Sequence, residues 1–128
     1  MLEPGIQLVR RRVVRRDDCI TFLGAGIRPS LATPMMIWWM EFCCRDAILP
    51  HLEEGQDSVG VQVSVKHLAA TPMGQEVTYT ATVAAVDGRR VRFDVTASDG
   101  TETVGAGTHD RFVVDVERFA RRLRKKFG

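Results

Sequence analysis

Apolar residues follow a helical period through the middle of the chain. The segment TPMMIWWMEFCCRDAILPHL (33–52) is its most apolar stretch, and one face of a 3.6-residue helix there carries Ile37, Glu41, Cys44 and Ile48. Thr33 followed by Pro34 predicts the start of this helix, with the threonine hydroxyl as N-cap and the proline at N1. Pro50 cannot continue the helix, so we expect it to end by Leu49.

Beyond residue 57 the period changes to that of a β-strand. Alternation predicts an apolar strand face that comprises Val59, Val61, Val63, Val65 and His67, with Gly60, Gln62, Ser64 and Lys66 on the other face. The pairs Asp87-Gly88 and Asp99-Gly100 predict two tight hairpin turns. We expect the remaining strands at 6–14, 76–86, 89–98 and 102–116, and a short basic helix at 117–126.

One long apolar helix followed by an antiparallel meander indicates an α+β fold in a single domain, residues 1–128. The buried stripe of the helix needs a sheet to cover it, and the hairpin turns leave the last strands little freedom. The expected arrangement is the hotdog architecture, in which an antiparallel sheet wraps around one long central helix, here with a short C-terminal helix.

Composition and charge exclude several classes of function. The chain has 128 residues, 45% of them hydrophobic, and a net charge of +2. Basic residues cluster near both ends, but the strands show no alternation of aromatic and basic residues, so we expect no nucleic-acid binding. No signal peptide is visible, and no apolar run approaches the roughly 18 residues of a membrane span.

The cysteine and histidine pattern predicts neither a metal site nor a cofactor. Three cysteines do not form a disulfide framework, and no spacing resembles a zinc site. Cys43 and Cys44 lie in an apolar segment and are expected to fill the core as free thiols. Such thiols fit a cytoplasmic protein.

Glu41 and His67 are the first candidates for chemistry. A carboxylate on the apolar stripe of a helix is expensive to bury unless it is paired or used. His67 continues a strand face made of valines, and an imidazole facing the same layer as a glutamate provides general acid/base groups. A core histidine bonded to backbone is the alternative for His67 taken alone.

Thr33 is the third candidate, because N–H groups at a helix N-terminus can hold a developing oxyanion. Simple N-capping is the alternative. Thr33 and Glu41 are eight residues apart, or about 12 Å along a helix, so the two side chains cannot touch within one chain. They can meet at one substrate only if a second subunit contributes its own helix.

These residues resemble the fluoroacetyl-CoA thioesterase family of hotdog proteins from about residue 5 to 119. The resemblance rests on the spacing of eight between Thr33 and Glu41, the HLAATP run that begins at His67, and GTHDR at 107–111. It implies that Thr33, Glu41 and His67 form the catalytic set and that Gly60 and Arg111 contact the substrate. The family's fluoroacetyl-specific member places phenylalanines before the threonine, whereas LGAGIRPSLA (23–32) has none, so the resemblance leaves the acyl group open.

The resemblance implies an acyl-CoA thioesterase that hydrolyses a short or modified acyl-CoA to the free acid and CoA. We expect a homodimer, because Trp38, Trp39 and Phe42 make the helix apolar on nearly every side. The residues alone leave open a non-catalytic acyl-CoA-binding hotdog protein and an enoyl-CoA hydratase. They also leave open whether Glu41 acts as nucleophile or as general base.

Overall fold

A computed structural model describes all of residues 1–128. Its elements, in chain order, are β1 (Gln7–Val13), β2 (Cys19–Ile20), β3 (Ser30–Leu31), α1 (Thr33–Ile48), β4 (Gln56–His67), β5 (Glu76–Asp87), β6 (Arg90–Ser98), β7 (Thr103–Asp115) and α2 (Val116–Phe127). Five strands form an antiparallel sheet in the order β1-β5-β6-β7-β4, and β2 pairs with β3 in a separate small hairpin. The sheet covers α1, which confirms the predicted α+β arrangement. The prediction that all four strands after the helix form a meander is wrong, because β4 pairs with β7 and only β5, β6 and β7 follow one another in the sheet. None of the helices combines the length and apolarity needed to cross a membrane.

Helix α1 buries a stripe that lies one residue earlier than predicted. The buried positions with the predicted spacing are Met36, Met40, Cys43 and Ala47. Of the predicted stripe, Cys44 and Ile48 are buried beside them, whereas Ile37 and Glu41 are only partly buried. The buried residues pack on the inward residues of the sheet, which include Val77, Tyr79, Val91, Phe93 and Val95. Each residue turns a helix by 100°, so this displacement moves Glu41 from the centre of the buried face to its edge. The prediction that Cys43 and Cys44 are free core residues is confirmed.

The predicted valine face of β4 is wrong at its first two residues, because a β-bulge interrupts the strand. Gly60 pairs with Arg111 of β7, but the next pair is Gln62 with Asp110, so Val61 is an extra residue. Ahead of the bulge it is Ser58 and Gly60, not Val59 and Val61, that share a face with Arg111. After the bulge Val63, Val65 and His67 share the face of His109, as alternation predicts.

Candidate active site

Thr33 lies in the first turn of α1 but does not cap it. The N-cap residue is Ala32, and no side-chain bond caps the helix, so the predicted threonine N-cap is wrong. The hydroxyl oxygen Oγ1 of Thr33 instead lies 2.7 Å from Nδ1 of His67, the last residue of β4. A hydroxyl engaged by an imidazole does not cap the helix. Met35 and Met36 both donate their N–H groups to the Ala32 carbonyl and Pro34 has no N–H, so the N–H of Thr33 is the backbone donor of this turn that has no partner.

His67 combines this bond with a second ring nitrogen that has no partner. Its Nε2 atom is buried and accepts or donates no hydrogen bond. Burial lowers the pKa of His67, because a buried imidazolium loses its hydration. His67 is therefore neutral at pH 7. Thr33 and His67 line one pocket together with residues of the β2–β3 hairpin and the segment after β4: Ile20, Ser30, Leu31, Ala32, Leu68, Ala69 and Ala70.

Glu41 lines a different pocket of the same chain. Its side chain is 35% exposed, and its nearest cationic or imidazole group is Nε2 of His109, at 3.7 Å from Oε1. No hydrogen bond holds the carboxylate. The pocket has a volume of about 370 Å³ and is completed by Trp38, Phe42, Arg45, Ser58, Val59, Gly60 and Arg111. Within one chain, therefore, Glu41 and His67 do not meet, contrary to the expectation of one shared layer.

Gly60 leaves room for Glu41. A Cβ atom built on Gly60 would lie 2.7 Å from Oε1 of Glu41 and 3.1 Å from Cε1 of His109. Both distances are shorter than ordinary van der Waals contact, so any larger residue here would displace the carboxylate or the imidazole. The bulge at Val61 turns Gly60 toward this pocket. The chemistry of the pocket thus depends on a glycine in a strand, where a glycine otherwise weakens packing.

Arg111 is buried beside Glu41, with 6% of its surface exposed. Its Nε donates to Oγ of Ser58 and its Nη2 donates to the Ser58 carbonyl, both at 2.7 Å. Its Nη1 lies 3.2 Å from Nε2 of His109. All three partners are neutral acceptors, so the guanidinium keeps its charge uncompensated by direct bonds. It faces Glu41 across the pocket.

His109 was not among the site residues predicted from the sequence. It is 1% exposed and packs against Phe93, with ring centroids 6.4 Å apart. The signal was present in the GTHDR block, because residues 109 and 111 of a strand share a face. A histidine two positions before a predicted substrate-binding arginine must lie next to it. The structure thus brings together Glu41, Gly60, His109 and Arg111, and separately Thr33 and His67.

No group of three or more His, Cys, Asp or Glu side chains in the chain is arranged to hold a metal ion. The two core cysteines are also unsuited to nucleophilic chemistry. Burial raises the pKa of both Cys43 and Cys44, so the reactive thiolate is disfavoured. The chemistry available is therefore that of a carboxylate, two neutral imidazoles, a hydroxyl and a guanidinium.

Known proteins resemble this chain over most of its length. Residues 14–117 match the family model for fluoroacetyl-CoA-specific thioesterases. A fluoroacetyl-CoA thioesterase from Streptantibioticus cattleyicolor is 44% identical over 95 residues, which cover 74% of this chain and 68% of that protein.

Solved structures agree in fold. One of a fluoroacetyl-CoA thioesterase superposes with a TM-score of 0.90 at 34% identity, covering 100% of this chain and 99% of that one. A thioesterase superfamily member from Thermus thermophilus gives 0.85 at 30% identity, with 98% and 95% covered. A hot-dog-like protein from Thermanaerovibrio acidaminovorans gives 0.88 at 28% identity, with 98% and 93% covered.

These similarities confirm the predicted hotdog fold and favour a thioester hydrolase over the non-catalytic acyl-CoA-binding alternative. The chain therefore belongs to the fluoroacetyl-CoA-specific thioesterase family, and it is an acyl-CoA thioesterase with the hotdog fold.

Proposed function

We propose that this protein hydrolyses a short acyl-CoA to the free acid and CoA at a site that two copies of the chain complete. One observation carries the proposal. Glu41 lies unbonded beside Gly60 and Arg111, while Thr33 and His67 are bonded to each other in a separate pocket of the same chain. Each pocket holds half of the groups that thioester hydrolysis requires, and the halves meet only between subunits.

The thioester carbonyl would lie at the N-terminus of α1, where the N–H group and the hydroxyl of Thr33 stabilise negative charge on its oxygen. Glu41 of the partner subunit would then either attack the carbonyl carbon or remove a proton from an attacking water. The C–S bond breaks, and the sulfur of CoA leaves as a thiolate or takes a proton. Where Glu41 attacks, the acyl group is then bound to its carboxylate as an anhydride, and water hydrolyses this anhydride to release the free acid and restore Glu41. His67 is neutral at pH 7 and can accept the proton of the water or pass one on. Neither route requires a cofactor, because a thiolate leaves readily.

The free edge of β4 supports a dimer. This strand of 12 residues lies at the end of the sheet, and long exposed edges bind further strands. Val61 is 48% exposed and Val63 is 43% exposed on it. If two β4 strands pair antiparallel about a two-fold axis at Ser64, Gly60 comes opposite His67 of the partner subunit, because Val61 is the extra residue of the bulge. That pairing would join the Glu41 pocket of one copy to the Thr33–His67 pocket of the other.

The Glu41 pocket supports a short acyl group. Trp38 and Phe42 form one wall, and Gly60 gives the reacting group space only as far as Glu41 and His109 allow. The fluoroacetyl-CoA thioesterases that this chain resembles act on a two-carbon acyl group, as their name states. Phe22, which lies in the β2–β3 hairpin and is 78% exposed, is one residue outside the stretch without phenylalanine.

We place the enzyme in the cytoplasm, in keeping with its three free cysteines.

Mixed dimers test the shared site. Two differently tagged chains, one carrying Glu41→Gln and the other His67→Ala, are co-expressed and the hybrid is purified through both tags. Each homodimer should release almost no CoA from acetyl-CoA or fluoroacetyl-CoA, because both of its sites lack one group. The hybrid should regain up to half of the wild-type turnover, because one of its two sites has both groups intact.

A hybrid that is purified intact but stays inactive would show that each site lies within one chain. A hybrid of two Glu41→Gln chains with different tags is the matched control and should not recover. The same thiol-release assay, run on acetyl-, fluoroacetyl-, branched, aromatic and longer acyl-CoA substrates, identifies the acyl group. Turnover confined to long chains would contradict the short-acyl proposal.

A further inference from the structure

The ring of His109 is held by three elements of the fold. Its Nδ1 atom lies 2.9 Å from the carbonyl oxygen of Gln62, the residue that follows the bulge in β4. Its Nε2 atom lies 3.2 Å from Nη1 of Arg111 and 3.7 Å from Oε1 of Glu41. Phe93 of β6 packs on one face of the ring. A buried imidazole with this many fixed neighbours has one orientation available.

The neighbours also fix where the ring proton lies. A carbonyl oxygen can only accept, so Nδ1 must carry the proton that it donates to Gln62. A guanidinium can only donate, so Nε2 must be the unprotonated acceptor for Arg111. The two contacts are compatible only with a neutral imidazole protonated at Nδ1. Glu41 is then next to an atom that cannot donate to it.

We infer that His109 is a positioning residue for the hydrolysis, which holds the Arg111 guanidinium through Nε2 while leaving the Glu41 carboxylate free of a donor. The inference rests on the proposed function, in which Glu41 and Arg111 act at the thioester. It assigns the β4 bulge a purpose as well, because the bulge presents the Gln62 carbonyl that fixes the proton on Nδ1. In a strand without the bulge, Gly60 and the Gln62 carbonyl could not lie beside Glu41 and Nδ1 of His109 at the same time.

Protonation of His109 would undo both effects. The positively charged ring would repel the guanidinium of Arg111. Its Nε2–H group would also form an ion pair with the carboxylate of Glu41. The charged groups that face the ring are Glu41 from α1 and Arg111 from β7, while Asp110 lies on the opposite face of the sheet. Burial is the largest influence and lowers the pKa of His109, so the ring stays neutral at pH 7.

A pair of substitutions separates positioning from packing. His109→Met keeps a long side chain without an acceptor at the Nε2 position, and it should lower kcat/KM by on the order of 100-fold, as misplaced reacting groups do. His109→Gln offers a carbonyl oxygen to Arg111 and should recover most of that loss. Thermal melting of both variants monitors folding. Equal losses in the two variants at equal melting temperature would overturn the inference.

Nitrogen NMR of the wild-type enzyme labelled with ¹⁵N-histidine tests the same inference without turnover. We expect a protonated Nδ1 and an unprotonated Nε2 for His109 at pH 7, identified by the signal lost in His109→Gln. A proton on Nε2 would overturn the inference even if the enzyme is active. Conversely, an enzyme that releases CoA from none of the tested thioesters would refute the proposed function and leave the NMR result standing.

Discussion

Two neighbouring residues of β7 bury opposite charges in opposite ways. Asp110 points to the outer face of the sheet and is 2% exposed, yet its two oxygens accept four hydrogen bonds of 2.8–3.2 Å from Arg90 and Arg92. Those bonds, from Arg92 above all, lower the pKa of Asp110. Arg111 points inward and is 6% exposed. It is bonded only to neutral groups, and the carboxylate that faces it, Glu41, is not hydrogen-bonded.

The difference separates a structural charge from a functional one. A buried carboxylate whose two oxygens both accept bonds from arginines is held in place and has little capacity left for a ligand. Arg111 and Glu41 instead face each other without a direct bond, because the guanidinium is bonded to Ser58 and His109. Both charges can therefore interact with a substrate that enters between them.

Replacing Glu41, the carboxylate on the inner face, by an amide tests this comparison most directly. Glu41→Gln should lower kcat by about 10²–10⁴-fold, the range for loss of a general acid or base. It should leave the melting temperature nearly unchanged, because no hydrogen bond depends on Glu41. Release of CoA, followed with a thiol reagent, measures the first effect, and calorimetry the second. Wild-type turnover in this variant would remove Glu41 from the reaction.

Gly60→Ala should have the next largest effect. The added methyl would lie 2.7 Å from Oε1 of Glu41, so the carboxylate must rotate away from the position it now holds. We expect kcat/KM to fall by on the order of 100-fold, with the dimer still folded. Steady-state kinetics beside size-exclusion chromatography check this. Unchanged kinetics would mean that Glu41 reacts from a different rotamer.

Much of this arrangement could be predicted from the sequence. The helix bounds followed from Pro34 and Pro50, the meander from two Asp-Gly turns, and the spacing of Thr33 and Glu41 correctly indicated that the two cannot meet within one chain. Periodicity cannot reveal an extra residue in a strand, since the pattern of β4 reads as regular alternation. The bulge at Val61 therefore inverted the expected roles of Val59 and Gly60.

The errors at Thr33 and His109 have a different cause. Local rules assign a threonine before a proline to the helix cap, whereas here His67, 34 residues away, engages the hydroxyl. His109 depends on Gln62 of another strand and on Glu41 of the helix. Contacts between residues distant in the chain decide both. The local pattern at 107–111 places His109 beside Arg111, but it does not show which groups of β4 and α1 the ring contacts.

Asp110→Asn is the outer-face counterpart of Glu41→Gln. Loss of the carboxylate should lower the free energy of unfolding by about 1–2 kcal/mol, since hydrogen bonds to a charged group are lost while solvent screens the half-exposed arginines. Turnover should remain that of the wild type. Urea unfolding measures the first effect. Asp94→Asn, at an exposed position of β6 without an ion pair, is the matched control and should change the free energy of unfolding by less than about 0.5 kcal/mol.

Thr33→Ala should have the smallest effect on stability, and it extends the comparison to the other half of the site. If the hydroxyl capped α1, its removal would cost about 1 kcal/mol in any background. Because the hydroxyl is bonded to His67 instead, we expect its loss to cost about 0.5–1 kcal/mol in the wild type and almost nothing in His67→Ala. Urea unfolding of the two single variants and the double variant gives the coupling between these side chains. Equal costs in the wild type and in His67→Ala would show that the Thr33 hydroxyl caps the helix and is not coupled to His67.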